Sequence, residues 1–241
     1  MKITFVGTSH GIPQATRYCS CIMLESGGSI YFIDAGTSIF DALVRSGKQM
    51  KDVRAVFTTH THDDHTVGLL HFASLMNWHF KDCSADFFMT EQNHIFSTKQ
   101  WILTTGYCDV DESRLRFKLA RDGVVYQDEN IKVEYIRTRH SAHSYSILVT
   151  EGEKRVLFSG DLSMHLSAND LSPVIKENID GFVCEMAHFG FDELGPYLDE
   201  CGAKKVFFVH ALESRYADIE QRKGKYPFEI FTPDDGDKFE I

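Results

Sequence analysis

The chain has 241 residues, 43% of them hydrophobic, which is enough to bury one large core and too few for two comfortable ones. Its 25 basic and 35 acidic residues leave a formal charge of −10, which excludes a broad electropositive surface that would hold a long nucleic acid by its phosphates. No segment approaches the roughly 18 apolar residues of a membrane span, and MKITFVGTSHG moves directly into an alternating strand, so one soluble, unexported, cytoplasmic domain over residues 1–241 is expected.

Taken in order, ITFVG, CIMLES and SIYFIDAG read as strands, short runs rich in β-branched and aromatic residues. A helical pattern over 38–46 follows, with Ser38 as its N-cap. The strand RAVFTT leads to a helix over 65–79, and DFFMT to a helix over 91–101. Four more strands, IKVEYI, YSILVT, RVLFSG and GFVCEM, precede a helix over 191–201, and KVFFVH precedes one over 213–223. No Pro/Gly/Ser-rich linker divides the series, so the chain is expected to be a layered α/β domain. Six cysteines (19, 21, 83, 108, 184 and 201) include no CxxC pair and read as reduced structural thiols. Trp78, Phe80, Phe87, Phe88 and Trp101 read first as core, with a pocket or interface as the alternative, and a lid over 76–118 is left open.

Four of these runs end in a potential metal ligand: RAVFTTH at His60, VEYIRTRH at His140, RVLFSGD at Asp161 and KVFFVH at His210. In α/β architectures ligands bind beyond the carboxyl ends of strands, so the four endings can converge on one site. The densest is HTHDDH: His60 and His62 share a side of an extended segment, while Asp64 and His65 follow at the turn into the helix. Seven donors exceed the three or four of a single tetrahedral site and suit two ions sharing a carboxylate. The expected assignment is His60, His62 and His140 to one ion, Asp64, His65 and His210 to the other, with Asp161 bridging and Asp63 a spacer. Imidazole and carboxylate donors suit two Zn2+ ions, and also Mn2+ or Fe2+.

HTHDDH resembles the signature of the metallo-β-lactamase fold superfamily, and the rest is similar to its ribonuclease Z branch. GTSHGIPQATRYCSCIML resembles that branch's N-terminal segment, RHSAHSYSILV its third motif, which favours His140 over His143, and FSGDL its bridging-aspartate motif. VHALESRYADIE and TPDDGDKFEI resemble its ending. The resemblance implies a four-layer αββα sandwich, a dinuclear site at one edge of the sheets, hydrolysis that is often of a phosphodiester, and a homodimer. Two cations would lower the pKa of a shared water towards ~7 and polarise the oxygens it attacks. Asp64 is the candidate to orient that water or accept its proton.

Two departures bear on function. Only ILVTEGEKRVLFSG separates Ser146 from Asp161, which leaves no room for the arm that grips transfer RNA in that branch. CEMAHF stands where ribonuclease Z shows His-Glu-Ala-Thr: Glu185 keeps the acidic position, and His188 becomes the candidate general acid or a supporting group. Arg17 and Arg215 are candidates for a substrate phosphate, and His10 and His143 for the mouth of the site. The expected function is a dinuclear phosphodiesterase acting on a small nucleotide or cyclic nucleotide. The alternatives are a thioester, lactone or other acyl hydrolase, then transfer-RNA end processing, and from another class a non-catalytic binding domain.

Overall fold

The computed structural model describes residues 1–167 and 170–241. In chain order the elements are β1 (Lys2–Gly7), β2 (Cys21–Ser26), β3 (Ser29–Ile33), α1 (Ile39–Arg45), β4 (Val53–Phe57), α2 (Asp63–Trp78), β5 (Ala85–Met89) and α3 (Gln92–Gly106). There follow β6 (Leu115–Leu119), β7 (Gly123–Gln127), β8 (Lys132–Arg137), β9 (Tyr145–Glu151), β10 (Lys154–Phe158), β11 (Ile179–Met186) and α4 (Phe191–Leu198). The chain ends with β12 (Ala203–Ala211), α5 (Tyr216–Glu220), β13 (Glu229–Phe231) and β14 (Lys238–Glu240).

Two seven-stranded sheets form, in the orders β14-β1-β2-β3-β4-β5-β6 and β13-β12-β11-β10-β9-β8-β7. Period-2 alternation decides which side chain enters which layer. Ile3, Phe5, Ile22, Leu24, Tyr31, Ile33 and Phe57 of the first sheet meet Val133, Ile147, Val149, Phe158, Val183 and Phe207 of the second in one buried cluster. The opposite faces pack outward, Met23, Phe32 and Val56 against α1, α2 and α3, and Phe182, Cys184, Val206 and Phe208 against α4 and α5. Helix, sheet, sheet, helix is thus the layer order, the αββα sandwich. Every residue of β11 is buried, as a central strand covered on both faces must be.

Several boundaries differ from expectation for local reasons. Helix α2 begins at Asp63, two residues early, because Asp63 Oδ1 accepts the Asp64 N–H and both acids favour the positive end of the helix. Ligand candidates Asp64 and His65 therefore sit in a helical first turn. Helix α3 runs on to Gly106, and residues 213–223 hold a 3-10 turn (Glu213–Arg215) and the short α5 rather than one helix. Strands β6, β7 and β13 are additional to the expected runs. LRFKL of β6 alternates with period 2, and Arg116 and Lys118 on one of its faces share Asp86.

The segment 76–118 is built into the sheet. Its β5 is hydrogen-bonded between β4 and β6, and the Arg114 guanidinium caps α2 by donating to the carbonyls of Met76, Asn77, Phe80 and Cys83 at 2.9–3.3 Å. Phe87 and Phe88 are core on opposite faces of β5, and Phe80 packs on Phe40 at 5.6 Å. Trp78 and Trp101 are 47% and 48% exposed on the outer helices.

One glycine fixes where the ligand-bearing turn sits. A Cβ on Gly68 of α2 would lie 1.8 Å from the Thr37 carbonyl oxygen, and the Gly68 N–H donates to Ala35 at 2.7 Å, so backbone meets backbone here. Gly68→Ala is expected to cost about 2–3 kcal/mol, seen as a melting midpoint lowered by roughly 4–12 °C. The exposed Val67→Ala should stay within about 0.5 kcal/mol of the parent. Equal midpoints for the two variants would refute this.

Candidate metal centre

The register brings the strand endings together. Strands β8, β10, β11 and β12 run parallel within the second sheet, since β8 and β10 each pair antiparallel with β9. The residues that follow them therefore emerge at one edge. His210 takes a left-handed backbone, φ 47°, at a bulged end of β12, and its N–H donates to Thr8 at 2.9 Å.

Asp161 stands at the centre. Its carboxylate oxygens lie 3.3 Å from His65 Nε2, 3.4 Å from His210 Nε2, 3.7 Å from His140 Nε2 and 3.8 Å from His60 Nε2. Asp64 Oδ2 is 3.4 Å from His65 Nε2 and 3.9 Å from His210 Nε2. Two tetrads result, His60–His62–His140–Asp161 and Asp64–His65–Asp161–His210, each with one donor atom per residue within 4.8 Å of the others. They share Asp161 alone.

Each inward imidazole is held by its other nitrogen. Nδ1 of His65 meets Asp34 at 2.8 Å, Nδ1 of His210 the Ser20 hydroxyl at 2.9 Å, Nδ1 of His60 the Thr59 hydroxyl at 3.0 Å, and Nδ1 of His140 the Leu162 carbonyl at 3.1 Å. These contacts fix ring orientation and aim Nε2 inward, as the outer partners of metal-bound histidines do. Asp34 and Ser20 were not legible as site residues, although Asp34 ends YFID just as Asp161 ends FSGD. The Asp34 carboxylate also accepts the Thr59 N–H and hydroxyl, at 2.7 and 2.8 Å.

The donor set fits cations. His60 Nε2, His65 Nε2 and Asp161 Oδ1 are buried without a hydrogen-bond partner, and His140 Nε2 faces His62 Nδ1 at 3.2 Å. Buried polar atoms are otherwise almost always paired. Burial and the neighbouring His65 push the His60 pKa well down, and burial lowers His140 despite Asp161, so both are neutral donors. Burial opposes ionisation of Asp161, but His210, His65 and His60 outweigh it and hold the carboxyl far below its usual range. Burial works against a charged His65 too, and there Asp161 and Asp34 prevail and raise it. A cation at this position would take over the role of that proton. A cavity of about 40 Å³ behind the ligands has room for an ion or water only, and His62 is exposed on the open side.

Asp34→Asn isolates the outer charge, since asparagine tolerates the left-handed backbone at this position, φ 59°. Metal affinity is expected to fall about 10–100-fold in a chelator competition. An unchanged affinity would remove Asp34 from the centre.

Glu185 is buried and saturated: its oxygens accept Leu162 N, Ala187 N, His188 N and His188 Nδ1 at 2.8–3.1 Å. It therefore holds His188 rather than an ion. His188 Nδ1 is 4.0 Å from Asp161, and the Glu185 hydrogen bond raises its pKa against burial. His10 sits at the rim, where Gly11 would carry a Cβ 3.5 Å from Asp64 Oδ2, and burial and His210 lower its pKa. His143 is exposed on the loop that carries His140.

The two arginines differ. Arg17 donates to Thr8 and Pro233 at 2.6 and 2.7 Å, pairs with Asp234 and stacks on Tyr216 at 4.6 Å, so three of its five N–H donors already brace the chain ends. The Arg215 guanidinium lies against Gly190, where a Cβ would be 2.8 Å from Nη1, and its Nε is buried without a partner.

A family model described as "Anti-Pycsar protein Apyc1" matches residues 1–229. Ribonuclease Z of Nitrosopumilus maritimus (strain SCM1) is 27% identical over 167 residues, covering 69% of this chain and 54% of that protein. The chain spans about half the length of the curated relatives it matches first. Among solved structures, the metallo-beta-lactamase fold protein YhfI from Bacillus subtilis superposes with a TM-score of 0.79 at 18% identity, covering 99% of each chain. Human tRNase Z, short form, superposes with a TM-score of 0.75 at 16% identity, covering 100% of this chain and 99% of that one.

Proposed function

The chain belongs to the family described as anti-Pycsar protein Apyc1, with the metallo-β-lactamase fold, and on that premise we propose that it is a dinuclear hydrolase of small nucleotide phosphodiesters, cyclic nucleotides foremost. The observation that carries this reading is the pair of tetrads sharing Asp161. His60, His62 and His140 would hold one divalent ion, Asp64, His65 and His210 the other, Zn2+ first and Mn2+ or Fe2+ as alternatives. Such ions, when bound, activate water as a nucleophile at neutral pH and polarise the phosphoryl group.

The chain's own residues supply the rest. Asp64, with Oδ2 3.4 Å from His65 Nε2, orients the attacking water and accepts its proton. His188, held through Nδ1 by Glu185, presents Nε2 to protonate the leaving oxygen. Arg215 offers its guanidinium to the phosphoryl oxygens.

The connection between β9 and β10 is Gly152–Glu153 alone, which leaves no arm for transfer RNA and favours a small substrate. Acyl hydrolysis of a thioester or lactone is the second reading, because the same donors can activate water against carbon. Metal-loaded protein should turn over a cyclic nucleoside monophosphate and leave precursor transfer RNA intact. Turnover confined to a thioester would replace the reading with the acyl one, and RNA cleavage with end processing. We also propose a homodimer built on the exposed Phe96, Trp101 and Tyr107 of the α3 region, checked by light scattering.

A further inference from the structure

Two exposed aliphatic side chains stand on loops that leave the metal centre itself. Ile12, 70% exposed, lies next to Gly11, the residue against Asp64. Met164, 68% exposed, follows Asp161 by three residues. The other large exposed apolar residues described lie on α1 to α3, at Tyr107, on β7, and at the aromatic Tyr18 farther along the Ile12 loop.

Both loops are held by hydrogen bonds around these residues. The Ser9 hydroxyl donates to the Ile12 carbonyl at 2.7 Å and the Ile12 N–H points to His10 Nδ1 at 3.4 Å, a tight turn that keeps Ile12 outward. On the other loop Leu162 is tied by its N–H to Glu185 and by its carbonyl to His140, and the Ser163 hydroxyl donates to the His165 carbonyl at 3.2 Å. The Ile12 loop runs between strands of the first sheet and the Met164 loop leaves β10 of the second, so each of two loops that leave the centre, one per sheet, carries an exposed apolar side chain.

The ligand tetrads and Arg215 address only the phosphate end of a nucleotide. We infer that Ile12 and Met164 are specificity residues that contact the nucleobase by apolar burial, an inference that rests on the phosphodiesterase reading above. Aliphatic contact removes the faces of a base from water, and it gives nothing to an ester that has no base. The two side chains therefore separate nucleotides from simple phosphate esters.

Calorimetric titration of metal-loaded wild type and Ile12→Ser/Met164→Ser with a nucleoside monophosphate and with glycerol phosphate tests this without turnover. The expected result is nucleotide binding weakened about tenfold by the double substitution and glycerol phosphate binding changed less than about twofold. Equal weakening of both ligands, or no change for the nucleotide, would overturn it. Turnover of the cyclic nucleotide is measured separately on wild type. A protein that binds nucleotides through these residues without hydrolysing them would keep this inference and lose the phosphodiesterase.

Discussion

Asp161→Ala should abolish the dinuclear centre, with turnover of bis(p-nitrophenyl) phosphate falling by at least about 10³-fold. Asp161 is the one residue common to both tetrads, and four imidazole nitrogens approach its carboxylate within 3.8 Å. Without it each half keeps three donors, but the anion that joins the halves is gone. Metal content by plasma mass spectrometry should fall from about two ions per chain towards one or none. Folding should survive, because the deleted carboxylate serves the centre and not a core cluster, and circular dichroism checks this. A variant that keeps two ions and parental turnover would remove Asp161 from its bridging place, and with it the proposed mechanism.

His188→Gln should separate substrates by leaving group. On a cyclic nucleotide, whose departing ribose oxygen needs a proton, kcat is expected to fall about 10²–10⁴-fold. On bis(p-nitrophenyl) phosphate the phenolate departs unprotonated, so the loss should stay under about tenfold. Glutamine retains a donor for Glu185, which leaves the saturated carboxylate intact. The companion change Glu185→Gln carries the pH signature. Because the Glu185 carboxylate raises the His188 pKa, its neutralisation lowers that pKa, and the alkaline limb of the rate profile should move to lower pH. Equal losses on both substrates would mean that His188 shapes the site without donating the proton.

The candidate ligands were legible because their chemistry is local. Four of them fall within six residues, His60 to His65, and spacing alone aligns them at the end of an apolar run. His140, Asp161 and His210 follow from the habit of α/β folds to bind at strand ends. Strands β6 and β7 lie outside the expected runs: both are short edge strands, and the charged face of β6 lowers its apolar content until Asp86 on the neighbouring strand pairs it.

Long-range contacts set the remainder. Asp34 reaches His65 only because parallel pairing of β3 with β4 and the return of α2 over Gly68 bring position 34 beside position 65. Arg17 and Arg215 look alike as phosphate candidates. The fold commits the first to Thr8, Pro233, Asp234 and Tyr216 and leaves the second against Gly190. The sequence by itself determined the donor types, the strand ends that carry them and the layered class, since these depend on neighbours a few residues apart. Which nitrogen of each histidine faces inward and which partners each arginine meets were decided by the tertiary structure. A hydrogen bond or a burial is a property of two segments, and their meeting is set by sheet register rather than by either segment alone.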